Sequence, residues 1–302
     1  MSTLSRTRHT ETTTVAFEPQ AKSAAGHPGF VAALTVAGSD SGGGAGIQAD
    51  LKAFAASGVY GTAAITAVTA QNTLGVSLVS LCSAKMLIAQ IHAVLSDLPV
   101  RAAKTGMLGS VQLCNAAVQA FSEAPEVKLV VDPVLVATTG ARLSSDQSIA
   151  AIRRNLAPRA SVLTPNLPEA EALLGMPVNN RRDMMEAAQK LLALGARSVL
   201  LKGGHLPGPR CHDLYLDKQQ HFWVSAVRLP VRGHGTGCTL SALITAQLAL
   251  GLDTAEACHL AILRLRKYLR NAHTAGAGVL TTPDPFWPGY LAEKVSVARG
   301  GR

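Results

Sequence analysis

The 302-residue chain is poor in charge and in aromatic side chains: Asp, Glu, Lys and Arg make up 16% of it, and Phe, Trp and Tyr 4%. A natively unfolded chain needs low hydrophobicity and high charge, and the 48% apolar content excludes that class. So few aromatics also argue against an all-β protein. Cysteine is sparse. Cys82, Cys114, Cys211, Cys238 and Cys258 are odd in number and show no CxxC spacing, which predicts free thiols in a reducing compartment. Residues 1–22 stay polar, unlike a secretory signal, and the most apolar stretch, 239–252, is too short and interrupted to span a bilayer. No membrane association is expected, and the default is a soluble cytoplasmic protein. No GxSxG, HExxH or HRD motif occurs, and no internal repeat.

What is present is a basic, apolar-rich chain. Lys and Arg number 28 and Asp and Glu 19, a balance of +9 that favours anionic partners. The excess sits in scattered groups such as Arg153-Arg154, Arg181-Arg182 and Arg264-Leu265-Arg266-Lys267. No aromatics interleave with them as a nucleic-acid stacking surface requires, so nucleic acid is not an expected partner.

Residues 1–29 are polar and Thr-rich and read as a disordered leader. From residue 30 onward, apolar runs of strand length alternate with stretches of helical period. Strands are expected at 31–37, 59–68, 102–104, 128–131, 161–163 and 198–201. Helices are expected at 46–57, 86–98, 111–121, 145–155, 181–194, 236–250 and 254–272. Two β runs, 213–216 and 221–228, flank a polar turn and read as a hairpin. Repeated strand–helix units indicate an α/β fold with a mainly parallel sheet covered by helices, and no linker divides residues 30–302 into two domains. In such sheets ligands bind beyond the carboxyl ends of the strands. Five of those ends are polar or Gly-rich: Gly38-Ser39-Asp40, Lys104-Thr105-Gly106, Asp132-Pro133, Thr164-Pro165-Asn166 and Lys202-Gly203-Gly204.

Each motif has a plain reading beside a functional one. The stretch from Gly38 to Gly46 holds five glycines and joins a strand to a helix, as a flexible turn or as a loop closing on a ligand. It is neither a Walker A loop nor GxGxxG. Asn166-Leu167-Pro168-Glu169 is a helix-capping signature that can also face a ligand. Asp132 before Pro133 is either a turn residue or a carboxylate near Mg²⁺. Lys202-Gly203-Gly204 is either a turn or a phosphate contact. His234-Gly235-Thr236-Gly237-Cys238-Thr239 opens the longest apolar helix, where backbone N–H groups can form an anion nest. Cys238 in that first turn is expected to have a lowered thiol pKa.

Taken as a set, these motifs resemble the hydroxymethylpyrimidine/phosphomethylpyrimidine kinases of thiamine biosynthesis. The resemblance also rests on Thr66-Ala67-Val68-Thr69-Ala70-Gln71-Asn72, Lys104-Thr105-Gly106-Met107-Leu108 and Val131-Asp132-Pro133-Val134, and runs over about residues 31–252. It implies a ribokinase-like fold, a central mainly parallel sheet between helices with a small β flap. It implies transfer of the ATP γ-phosphoryl group to the pyrimidine's hydroxymethyl group, then to the monophosphate. It places Gly38, Ala45, Asp50, Gln71, Met107 and Val134 around the pyrimidine, where Gln71 and Asp50 carry the donor and acceptor groups an aminopyrimidine edge needs. Asn166, Lys202 and Thr236 fall on the nucleotide side, and Asp132 and Glu169 on the Mg²⁺ side. Cys238 stands where other ribokinase-like kinases carry an Asp base, and Gly235, Thr236 and Gly237 form the anion hole. The family's homodimers make a homodimer the expected assembly.

Two rival readings share these residues. Pyridoxal is also a flat heteroaromatic ring with a CH₂OH, so a vitamin B6 kinase shares the fold and the chemistry. Val231-Arg232-Gly233 departs from the Thr- and Asn-containing stretch usual before the His of this motif, which motivates a non-catalytic pyrimidine-binding or regulatory protein.

Overall fold

A computed structural model of the chain describes residues 30–135, 145–231, 233–274, 276–278 and 281–282. The leader 1–29, Arg232 and the tail beyond 282 lie outside the described residues, as does the expected domain boundary at 29/30.

A nine-stranded sheet runs in the order β3-β2-β1-β4-β5-β6-β7-β8-β9. The parallel strands are β2 (Tyr60–Asn72), β1 (Ala32–Asp40), β4 (Val100–Thr105), β5 (Lys128–Val131), β6 (Val162–Leu163) and β7 (Ser198–Leu201). Antiparallel β3 (Gly75–Leu81) closes one edge, and the hairpin of β8 (Arg210–Asp217) and β9 (His221–Val227) closes the other. The pleat explains why the parallel strands read as unbroken apolar runs: neighbouring residues point to opposite faces, and both faces are covered. Leu129 and Val131 enter one core and Val130 the other. Val199 and Leu201 likewise oppose Leu200.

One face is covered by α1 (Gly46–Ala56), α7 (Thr236–Ala249) and α8 (Thr254–Arg270). The other carries α2 (Ala84–Asp97), α3 (Val111–Ser122), α4 (Asp146–Ala151), α5 (Leu167–Leu174) and α6 (Arg181–Ala193). Helix α7 is buried on nearly every side from Thr239 to Ala249, which is why its sequence lacks a polar face.

The structure adds α5 to the expected helices, carries β2 on to Asn72, and differs from the sequence reading in two further features. The helix expected over 145–155 is α-helical only to Ala151 and continues as a π-helical turn, Ile152–Leu156. Strand β3 was not expected at all. It extends the end of β2 beyond Asp40, the last β1 residue in register with β2, and this projecting β2–β3 hairpin is the flap.

Candidate active site

The chain passes to opposite sides of β1 on leaving it for β2 and on arriving at β4, so β1 lies at a topological switch point. A cleft of about 970 Å³ opens there, beyond the carboxyl ends of the parallel strands. Four of the five polar strand ends reach it directly, through Gly38, Ser39 and Asp40, then Asp132, Asn166, and Lys202. Lys104 and Thr105 instead lie beneath the floor, wholly buried, and Met107 represents their strand in the lining.

The Gly-rich loop is shaped by Asp40. Its Oδ1 accepts from Gly42 N–H at 2.8 Å, and its Oδ2 from Gly44 N–H at 3.1 Å and Ala45 N–H at 2.8 Å. Gly46 then turns with φ +57°, where a side chain would meet the Gly38 carbonyl at 2.3 Å. His234 Nε2 lies 3.1 Å from Asp40 Oδ2, tying this loop to the one before α7. Burial works to raise Asp40, but His234 and the loop N–H groups hold it below the usual carboxylate range.

Gly235 caps α7 with φ +71° and packs so closely that a Cβ would meet the Gly44 carbonyl at 1.9 Å. The N–H groups of Thr236, Gly237 and Cys238 open the helix, where no intrahelical carbonyl is available to them. All three residues line the cleft. They have the geometry expected of an anion nest, at the positive end of a fourteen-residue helix.

A charged cluster faces the nest. Lys202 Nζ donates to Asp132 Oδ1 at 2.9 Å and lies 3.9 Å from Glu169 Oε2. Asp132 also accepts from Thr164 at 3.1 Å and Ser241 at 3.2 Å. Burial would raise Asp132, yet Lys202 and Lys104 keep it ionised below its ordinary pKa. Glu169 is left with less positive charge, and burial pushes it up to about 7. Asn166 and Glu169 form the expected capping box, Asn166 Oδ1 accepting from Glu169 N–H at 2.9 Å and Glu169 Oε2 from Asn166 N–H at 2.8 Å. Capping and cleft-lining thus coincide in these residues.

Of the residues singled out in the sequence, Gly38, Ala45, Gln71, Met107, Val134, Asp132, Asn166, Glu169, Lys202, Gly235, Thr236, Gly237 and Cys238 line this one cleft. Asp50 does not. It is fully buried on α1, accepting from Thr35 at 2.6 Å and from Lys104 at 3.0 Å. Its carboxylate is therefore spent on an ion pair under the floor. Burial works against the charge on Lys104, but Asp50, Cys238 and Asp132 drive its pKa upward.

The expected thiol shift is also reversed. Burial pushes Cys238 up to about 11, outweighing the pull of Lys104. The helix position alone predicts a thiolate, but desolvation by the surrounding protein dominates.

The sequence reading gave no role to Asp40, His234, Lys104 or Arg228. Arg228 donates to the carbonyls of Gly204 at 2.6 Å and Gly208 at 2.9 Å, and to that of Leu206, fixing the loop after Lys202. The signal for Asp40 was present as an Asp directly after a strand and before glycines. The others depend on contacts between distant segments.

The cleft that gathers the Gln71 amide, the N–H groups of α7 and the Lys202–Asp132–Glu169 cluster suits a kinase acting on a small molecule, on a ribokinase-like fold. Residues 40–283 match the family described as phosphomethylpyrimidine kinase, and the chain belongs to it. The hydroxymethylpyrimidine/phosphomethylpyrimidine kinase of Bacillus subtilis is 43% identical over 248 residues, covering 82% of this chain and 92% of that one. A thiamine biosynthesis bifunctional protein of Geobacter sulfurreducens is 45% identical, covering 79% of this chain and 48% of that protein. Among solved structures, a phosphomethylpyrimidine kinase of Clostridium difficile has a TM-score of 0.72 at 39% identity, covering 79% of this chain and 99% of that one. An ADP complex of Bacillus subtilis pyridoxal kinase has a TM-score of 0.77 at 36% identity, covering 84% and 97%. The chain is a phosphotransferase, and the non-catalytic reading is set aside.

Proposed function

We propose that the enzyme transfers the γ-phosphoryl group of ATP to 4-amino-5-hydroxymethyl-2-methylpyrimidine, and then to the resulting monophosphate, in thiamine biosynthesis. The observation that supports this reading is that Gln71, Met107 and Val134 line the same cleft as Thr236, Gly237 and Cys238, whose N–H groups open α7. An amide offers one donor and one acceptor, the complement of a ring nitrogen beside an exocyclic amine. A ring held there by Gln71 and sandwiched by Met107 and Val134 directs its 5-substituent at the nest. The monophosphate fits the same pose, since it only lengthens that substituent.

Catalysis of phosphoryl transfer is chiefly positioning and charge stabilisation. The N–H groups of Thr236, Gly237 and Cys238 supply fixed dipoles for the transferring group, and Lys202 a positive charge, without reorganisation during the reaction. Cys238, itself a residue of the nest, is the proton acceptor in this reading. Its thiol is protonated at rest, so the hydroxyl proton passes to the small thiolate fraction or leaves late in a loose transition state.

Asp132 and Glu169 would hold Mg²⁺ on the nucleotide side, directly or through water. The donor set fits: two carboxylates beside a phosphate site are what Mg²⁺ takes, and Glu169 at about 7 lacks enough positive charge to stay ionised alone. Bound Mg²⁺ neutralises phosphate charge. Asn166 and Thr236 complete the nucleotide side. A cytoplasmic homodimer is the proposed setting. Among the described residues no helix is long and apolar enough to cross a membrane.

The pyridoxal kinase likeness keeps one second reading in play, phosphorylation of pyridoxal. A coupled ATP-consumption assay with three acceptors, the hydroxymethylpyrimidine, its monophosphate and pyridoxal, separates the two. Turnover on both pyrimidines with a kcat/KM above that for pyridoxal is expected. Activity confined to pyridoxal would reverse the assignment.

A further inference from the structure

Gln71 can recognise a ring edge only if its amide is held one way round, because its two ends have the same shape and opposite hydrogen-bonding character. Two neighbours decide which way. Thr69 Oγ1 lies 2.9 Å from the Ser39 carbonyl and 3.3 Å from one end of the Gln71 amide. A hydroxyl has one proton, and the carbonyl takes it. Towards Gln71, Thr69 is therefore an acceptor, so the amide turns from the rotamer in which Oε1 faces Thr69 and Nε2 faces His234, and presents its nitrogen to Thr69.

At the other end, His234 Nε2 lies 3.4 Å from the amide and 3.1 Å from Asp40 Oδ2. Asp40 is a carboxylate that already accepts from three backbone N–H groups, so the imidazole nitrogen beside it carries hydrogen. A ring nitrogen that carries hydrogen has no lone pair for an amide N–H, so the amide oxygen is the end that faces His234. Thr69 and His234 reach the same polarity independently, one on β2 and the other before α7.

We infer that Thr69 and His234 are positioning residues that fix the amide polarity of Gln71, and so make the site selective for a ring edge with an amino donor beside an unprotonated ring nitrogen. The inference rests on the aminopyrimidine reading above. It excludes the 4-oxo analogue of the substrate, whose protonated ring nitrogen and carbonyl present the reversed order. The ring cannot turn over to compensate, because its 5-substituent must still point at the nest. Buried groups left mispaired make this kind of rejection large.

The test is the ratio of kcat/KM for the amino substrate to that for the 4-oxo analogue. The wild type should favour the amino substrate by about 10²-fold or more. In the double variant Thr69→Val with His234→Phe the amide can turn, and the ratio should collapse to within about tenfold, chiefly through the KM values. Thr69→Ser keeps the hydroxyl and should restore the wild-type ratio, which a purely structural role for the methyl-bearing side chain would not predict. Thr69→Val or His234→Phe alone leaves the other constraint in place and should lower the ratio by a smaller factor, which provides the reading if the double variant does not fold. An unmoved ratio in the double variant or, where it does not fold, in the single variants overturns the inference while leaving the kinase assignment intact. A wild type inactive on the pyrimidines overturns both.

Discussion

Cys238 shows how a local rule yields to its surroundings. A thiol in the first turn of a helix is expected to be acidic, yet burial holds this one at about 11. If its thiolate takes the hydroxyl proton, kcat/KM should rise roughly tenfold per pH unit from neutrality until another step limits. Cys238→Ala should lower turnover by about 10²-fold and flatten that rise. A variant that keeps the wild-type slope would assign the proton transfer elsewhere. Glu169 carries a second prediction, on stability. Its folded pKa of about 7 lies above the ordinary 4.5, so the folded state holds the proton more tightly. The stabilisation from this group is full below the unfolded value and is lost as pH rises through the folded one. Glu169→Gln should therefore narrow the gap in Tm between about pH 5 and about pH 8. Thermal melts of both proteins at the two pH values check it, and an unchanged gap would remove Glu169 as its source.

At the scale of elements, what was legible followed from burial. Strands β5 and β7 match the residues expected from their apolar runs, because a strand covered on both faces has no polar partner face to blur the signal. Strand β3 was illegible for the converse reason. Its Ser77 to Leu81 are all exposed, and Gly75-Val76-Ser77 carries neither alternation nor a long apolar run. The π-helical turn at Ile152–Leu156 is a change of hydrogen-bond partner inside a helix, to which side-chain period is blind. The nest loop is where an element and the site meet. Gly235→Ala places a Cβ against the Gly44 carbonyl and demands a left-handed alanine, so the two glycine loops must separate. We expect a loss of about 10²-fold or more in kcat, as when an oxyanion-hole donor is removed. Turnover near that of the wild type would show that the loops need not touch.

The whole molecule was readable as a class sooner than as a topology. Strand–helix alternation gives a parallel sheet, but the strand order, with β1 between β2 and β4, comes from long-range pairing that period cannot encode. The cleft lies where the rule that ligands sit beyond strand carboxyl ends puts it, and the residues expected to form the site converge there with one exception. Asp50 is that exception, because nothing in its local sequence reveals Lys104, fifty-four residues away, as its partner. The same cleft is asked to serve two substrates in turn, the alcohol and its phosphate. That claim is tested most directly by following one reaction, hydroxymethylpyrimidine with excess MgATP, by time-resolved ³¹P NMR. The monophosphate should appear first and then be consumed as the diphosphate grows, on the one enzyme. A reaction in which neither pyrimidine phosphate forms, while pyridoxal in the same tube is phosphorylated, would contradict the account.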